Sequence, residues 1–185
     1  MFQLNQLPNW TKLDPNTTQT RLLHEKSRFV SAWGEARTGK TEICCRKLIL
    51  ALQGLGENFA YVFTNSCTAN IAGMRRILGM LPEGFAKQMC QQDMLLESST
   101  GSKLYILYRL DQLEGIQYDG IIVDEACHYP SNFFNHRILP VLSHKAGWCW
   151  LTGRLDPSGN NYKSCMQFTG LPLTANYHLD TYRNI

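Results

Sequence analysis

Eight consecutive residues, Gly34-Glu35-Ala36-Arg37-Thr38-Gly39-Lys40-Thr41, satisfy G-x-x-x-x-G-K-[ST] at every fixed position. Residue types in that order make a phosphate cradle. Gly34 and Gly39 let the backbone curl around an anion without Cβ clashes, so the N–H groups of residues 35–39 and the start of a following helix can converge on phosphate oxygens. Lys40 then reaches the β and γ oxygens, and the Thr41 hydroxyl suits Mg2+. A second cluster of chemistry lies downstream, where Tyr118-Asp119-Gly120-Ile121-Ile122-Val123-Asp124-Glu125-Ala126 reads as an apolar strand that ends in two carboxylates. In open α/β sheets ligands bind beyond the carboxyl ends of the strands, which is where a phosphate cradle also lies. Asp124 is expected to hold Mg2+ through water alongside Thr41, and Glu125 to orient or deprotonate an attacking water. A strand ending in two acids also suits a helix start. Taken with the glycine loop, the pair points to ATP hydrolysis.

Other residues carry two readings each. Gln19, upstream of the loop, has the donor and acceptor needed to pair with adenine, or it is an exposed helix residue. Adenine is preferred over guanine because no Asn-Lys-x-Asp motif is present. Thr152, at the end of Trp148-Cys149-Trp150-Leu151, either bonds the attacking water and the γ-phosphate, reporting hydrolysis to moving parts, or belongs to an ordinary turn with Gly153. Arg37 and Arg154 are the arginines nearest the presumed phosphates; each is a candidate to stabilise charge on the transferring phosphoryl group, or is simply solvated. The histidines show no metal-ligand spacing, and no Ser/His/Asp or Cys/His nucleophile is evident.

These side chains require elements to hold them. Arg28 to Trp33 is a β-prone run before the loop, and Ile43, Leu48, Ile49 and Leu52 keep helical spacing after it until Gly54 and Gly56. A short helix is expected over Thr17 to His24, a strand over Phe59 to Phe63, and a helix through Met74 and Ile77 capped by Thr64-Asn65-Ser66. Residues 82–92 are ambiguous; Met94 to Glu97 and Leu104 to Tyr108 make a hairpin-like pair. A helix is expected over Pro130 to Leu139. The alternation predicts an α/β fold, a P-loop NTPase of RecA/ASCE-like type with a mostly parallel central sheet flanked by helices.

A length of 185 residues supports one domain with a buried core. The formal net charge of +3 arises from scattered pairs such as Arg46-Lys47 and Arg75-Arg76, which fit solvated helix faces and permit DNA contact without indicating it. Seven cysteines, with no C-x-x-C pair, fit reduced buried thiols in a cytoplasmic protein better than disulfides or zinc. No apolar run approaches the roughly 20 residues of a membrane span, and no signal peptide opens the chain.

With these residues in place, the order of signals resembles the ATPase domain of the large terminase subunit, the DNA-packaging motor of tailed bacteriophages. Pro15 to Gln19 resembles its adenine-contacting lead-in, and the arginine-bearing loop Gly34 to Thr41 its phosphate loop. Gly101-Ser102 to Tyr108, Leu113-Glu114-Gly115 and Asp119 to Ala126 are similar to its Gly-Ser strand, Leu-x-Gly and Asp-Glu-Ala progression. Leu151-Thr152-Gly153 resembles its coupling motif and Pro157 to Tyr162 its Pro-x-Gly-x-Asn-aromatic run, although Arg154-Leu155-Asp156 intervenes where the family commonly has Thr-Pro. The resemblance implies a lead-in over 1–27, an ATPase core over 28–170 and a tail over 171–185. It also implies ATP and Mg2+ as cofactors, duplex DNA as cargo, and a homo-oligomeric ring on the portal of a procapsid with a small terminase subunit. Full large terminases continue into a metal-dependent nuclease; beyond Glu125 this chain has only Asp156 and Asp180 as carboxylates, so DNA cutting is not expected of it. A helicase-like DNA-dependent ATPase, suggested by Asp124-Glu125-Ala126-Cys127, and a slowly hydrolysing assembly module are the alternatives.

Overall fold

Helices and strands alternate from residue 17 to residue 90 because apolar runs too short for helices are separated by glycine-punctuated amphipathic segments. The computed structural model describes Pro8 and residues 17–63, 67–90, 94–130, 132–154 and 174–179, with the backbone alone for 67–70 and 87–90. The expected caps Thr64-Asn65-Ser66, the lead-in before Thr17 and the Pro157 to Tyr162 run lie outside these residues. The strands are β1 (Phe29–Gly34), β2 (Asn58–Val62), β3 (Ala86–Cys90), β4 (Leu95–Ser98), β5 (Lys103–Leu107), β6 (Gly120–Val123), β7 (Trp148–Gly153) and β8 (Thr174–Leu179). Helices α1 (Thr17–Leu23), α2 (Lys40–Ala51) and α3 (Cys67–Met80) lie where the periodicity predicts them.

One sheet contains all eight strands in the order β3-β4-β5-β2-β6-β7-β1-β8. Six of them, from β5 to β8 in that order, run parallel. The expected hairpin-like pair is the antiparallel β4–β5 ladder, and the ambiguous stretch supplies β3 against β4. Both faces are buried, which is why the parallel strands read as continuous apolar runs. Alternate residues divide between two cores. Val30, Phe59, Tyr61, Ile122 and Trp150 pack with Leu22, Ile43, Leu48 and Ile77 beneath the helices. Phe29, Ala60, Val62, Ile121, Val123, Cys149 and Leu151 pack on the opposite face with Tyr118, Phe134, Ile138 and Leu142. Strand β7 lies between β1 and β6, pairing Ala32 with Thr152 on one side and Val123 with Leu151 on the other. That interposition carries Thr152 to a point between the glycine loop and Asp124.

Two expectations need correction. The stretch assigned to a tail after residue 170 supplies β8, a parallel neighbour of β1 from Phe29↔Thr174 to Gly34↔Leu179. Its sequence, Thr-Ala-Asn-Tyr-His-Leu, lacks the apolar density of the inner strands because β8 pairs only with β1 among the described residues. The expected helix over Pro130 to Leu139 is instead a π turn, Phe134–Ile138, running into a short α4, Leu139–Leu142. Pro140 has no N–H to donate back, which loosens the regular ladder at that point.

Strand β8 is fastened to the segment that follows α1 by the Tyr177 hydroxyl, which donates to the Glu25 carboxylate, and Glu25 also accepts from the Ser27 backbone N–H and hydroxyl. These donors, the tyrosine foremost, hold the Glu25 carboxyl down at about 2, against an ordinary 4.5. A folded pKa below the unfolded one stabilises above the unfolded value and loses that contribution as pH falls towards the folded value. Tyr177→Phe is therefore expected to cost about 1 kcal/mol at pH 7, discounted for solvent screening, and less at pH 3. Denaturant midpoints at the two pH values would show equal losses if Glu25 were not the partner that matters.

Candidate nucleotide site

The loop between β1 and α2 is shaped by two left-handed residues, Arg37 (φ 65°) and Gly39 (φ 83°). Glycine at position 39 is favoured by that angle, and a Cβ there would lie 2.4 Å from Gln19 Nε2, so the end of the Gln19 side chain would have to shift. At position 34 a Cβ would lie 2.3 Å from the Leu179 carbonyl oxygen, so the strand end can approach β8 only without a side chain. The Thr38 hydroxyl donates to the Glu35 carbonyl (3.0 Å), closing the loop on itself. Lys40, buried, donates from Nζ to the carbonyls of Gly34 (2.6 Å) and Glu35 (2.7 Å). Burial lowers its pKa, while the nearby Glu125 and Asp124 carboxylates oppose the shift.

Asp124 is the focus of the site. Its Oδ2 accepts from the Thr41 hydroxyl (2.9 Å) and the Tyr61 hydroxyl (3.0 Å). Its Oδ1 accepts from the Thr152 hydroxyl (2.6 Å) and the Glu125 backbone N–H (3.0 Å). Parity explains the convergence: Tyr61, Asp124 and Thr152 share the sheet face of Phe59, Ile122 and Trp150, beneath α2. Thr152 lies within β7, completely buried, so the turn reading does not hold for it. Its hydroxyl is directed to Asp124.

Glu125 follows in a left-handed conformation (φ 50°, ψ 45°), a strained choice for a residue with a side chain, of the kind that clusters at functional sites. The bend brings Glu125 to the wall of a cleft of about 470 Å³ that is also lined by Ala36, Arg37, Gly39, Lys40, Thr41 and Arg154. Arg154 Nε lies 4.0 Å from Glu125 Oε1, and the Cys127 thiol donates to Oε2 at 3.7 Å. Glu125, Cys127 and His128 bring ligand atoms within 4.8 Å of one another. Burial raises the Cys127 thiol pKa, which suits a hydrogen-bond donor better than a metal ligand. The hard oxygen pair of Thr41 and Asp124, by contrast, fits Mg2+.

Of the anticipated residues, Glu35, Ala36, Arg37, Thr38, Gly39, Lys40, Thr41, Asp124, Glu125 and Thr152 are thus brought to one end of the sheet. Gln19 is buried and its Nε2 donates to the Thr38 carbonyl (2.9 Å), so it braces the loop rather than standing as an exposed helix residue. Two participants were not anticipated. Tyr61 looks like core in sequence, and Arg76 looks like half of a solvated pair. Arg76 lines the cleft, held by Glu42 Oε2 at 3.1 Å, while Arg46 occupies Glu42 Oε1 at 3.1 Å.

No family model matches the chain, and no curated protein matches it in sequence. Solved structures do. The large terminase ATPase domain of Thermus phage P74-26 superposes with a TM-score of 0.73 at 15% identity, covering 94% of this chain and 86% of that one. This chain shares the fold of that domain. The large terminase of a second, thermophilic bacteriophage, solved with ADP, gives 0.70 at 17% identity over 88% of this chain and 44% of its own, so the chain spans less than half of that protein. The UvsW helicase of bacteriophage T4 is similar more loosely, with a TM-score of 0.62 at 10% identity over 95% of this chain and 64% of that one. Among the described residues no helix is long and apolar enough to cross a membrane.

Gly39→Ala is expected to destabilise the fold by about 1–2 kcal/mol through its left-handed backbone, with a further loss from the Gln19 contact. Adding Gln19→Ala should recover the second part only. Chemical denaturation of the single and double variants measures this, and strictly additive losses would show that the two residues do not press on each other.

Proposed function

We propose that this chain is the ATP-hydrolysing motor domain of a DNA-packaging machine of the large-terminase type. The observation that carries the reading is the bond from Thr41 of the phosphate loop to Asp124, with Glu125 facing the same cleft. The fold adds support, as do the structures of the thermophilic-phage large terminase with ADP and with ATP-gamma-S. Loop N–H groups of residues 35–39 and Lys40 bind the phosphates, and Gln19 steadies the loop from beneath and is also the candidate adenine contact. Thr41 and Asp124 would hold Mg2+, which when bound neutralises phosphate charge. Glu125 orients a water for in-line attack on the γ-phosphorus and takes its proton; the bond from that phosphorus to the bridging oxygen breaks, leaving ADP and phosphate. Arg37, exposed at the loop apex, lies where it would stabilise the charge that develops on the transferring group. Thr152, bonded to Asp124, ties the interposed strand to the metal-holding carboxylate and so is placed to pass on a change there. Several copies would form a ring on a procapsid portal, with a small terminase subunit, and drive duplex DNA inward.

The likeness to UvsW favours one second reading, a helicase-type DNA-dependent ATPase. ATPase rates with and without duplex DNA, for the wild type and Glu125→Ala, test the main reading. Glu125→Ala should reduce turnover by about 10²–10⁴-fold; unchanged turnover would remove Glu125 from the chemistry, and strand separation by the wild type would favour the helicase. Arg37→Ala is expected to lower kcat more than nucleotide affinity, whereas equal losses would mark Arg37 as a ground-state binder.

A further inference from the structure

We infer that Tyr61 is a positioning residue for the metal-holding carboxylate: its hydroxyl, rather than that of Thr41, fixes the orientation of Asp124 towards a nucleotide-bound cation. The inference rests on the nucleotide-site reading above. Four donors reach Asp124, and they are not equivalent. Thr41 lies at the cleft and lines it, so its hydroxyl is the donor available to a ligand. Thr152 and the Glu125 N–H hold the other oxygen, Oδ1. Tyr61 alone approaches Oδ2 from inside the core, at 3.0 Å, with none of its surface exposed. When Thr41 turns to a cation, Tyr61 is the donor that keeps Oδ2 in place.

The ring is held so that the hydroxyl cannot wander. It lies against Phe63 with centroids 3.9 Å apart and planes tilted by 36°. Phe63 in turn fills the space left by the missing side chain of Gly73 on α3, where a Cβ would sit 2.0 Å from Phe63 Cζ. A tyrosine has two side-chain torsions, and packing on both sides restrains them, so the hydrogen bond is formed at little further entropic cost. For the core alone a phenylalanine would serve, as Phe59 and Phe63 do on the same strand face. A carboxyl group that is 5% exposed depends on such donors for its orientation. Partners that orient metal-holding groups typically contribute tenfold or more to metal affinity.

Tyr61→Phe removes only the hydroxyl and leaves the wedge of rings intact. The measurement is calorimetric ADP affinity of the intact chain with and without Mg2+, for wild type and variant. The expected result is a loss of about tenfold in the Mg2+-dependent increment, with Mg2+-free affinity within about twofold of wild type. A variant whose increment equals that of wild type would overturn the inference. So would equal losses with and without Mg2+, which would mark Tyr61 as a structural residue. If Tyr61→Phe does not fold, Phe63→Leu, which loosens the ring and keeps the hydroxyl, is measured the same way; a reduced increment supports the inference and an unchanged one overturns it. A wild type that binds no ADP in either condition would overturn the nucleotide reading itself, an outcome distinct from failure of Tyr61 alone.

Discussion

A single buried carboxylate with its four donors is the constraint on which the arrangement depends. Asp124 draws Thr41 from the glycine loop, Tyr61 from β2, Thr152 from β7 and the backbone of Glu125 onto one group. A carboxyl group so far from water is tolerable only if its lone pairs are occupied, and each donor comes from a different segment of chain. Loss of one donor is therefore felt at the others. The loop, the interposed strand and the strained residue that follows share a common reference point.

The sheet topology makes that reference point possible. Parallel strands place their carboxyl ends together, and β7 between β1 and β6 sets Thr152 one strand away from both the loop and Asp124. The alternation of side chains then does the sorting. Residues of one parity build the core under α2 and α3 and rise into the site, while those of the other parity build the opposite core, with Phe134 and Leu142. The same pattern that buries apolar surface thus aims polar groups at strand ends.

Much of this was legible in the sequence, and the parts that were not have physical reasons. The glycine loop and the Asp-Glu pair are local motifs whose geometry follows from short stretches of backbone, so Lys40, Thr41, Asp124 and Glu125 could be placed without knowing the sheet order. Tyr61 could not, because a tyrosine within Phe-Ala-Tyr-Val-Phe is indistinguishable from core packing until its neighbour across the sheet is known. Arg76 was hidden for the opposite reason: an arginine pair on a helix usually faces solvent, and only the Glu42 partner draws this one to the cleft. Gln19 was recognised as relevant, but its contact with the Thr38 carbonyl depends on how α1 docks. The π turn and β8 escaped because one depends on a proline within a helical pattern and the other on weakly apolar residues whose strand partner among the described residues is far away in sequence.

Strand β8 has a bearing on how this domain could be divided. It covers the outer hydrogen-bonding rim of β1, the strand that delivers the phosphate loop, and Gly34 presses directly against the Leu179 backbone. A fragment ending near residue 170 would leave β1 with a bare, flat and hydrophobic rim, open to edge-to-edge association with other copies. It would also remove the wall against which the loop begins. The start of the loop that defines the chemistry is thereby held in shape by residues about 145 positions away, since Gly34 pairs with Leu179.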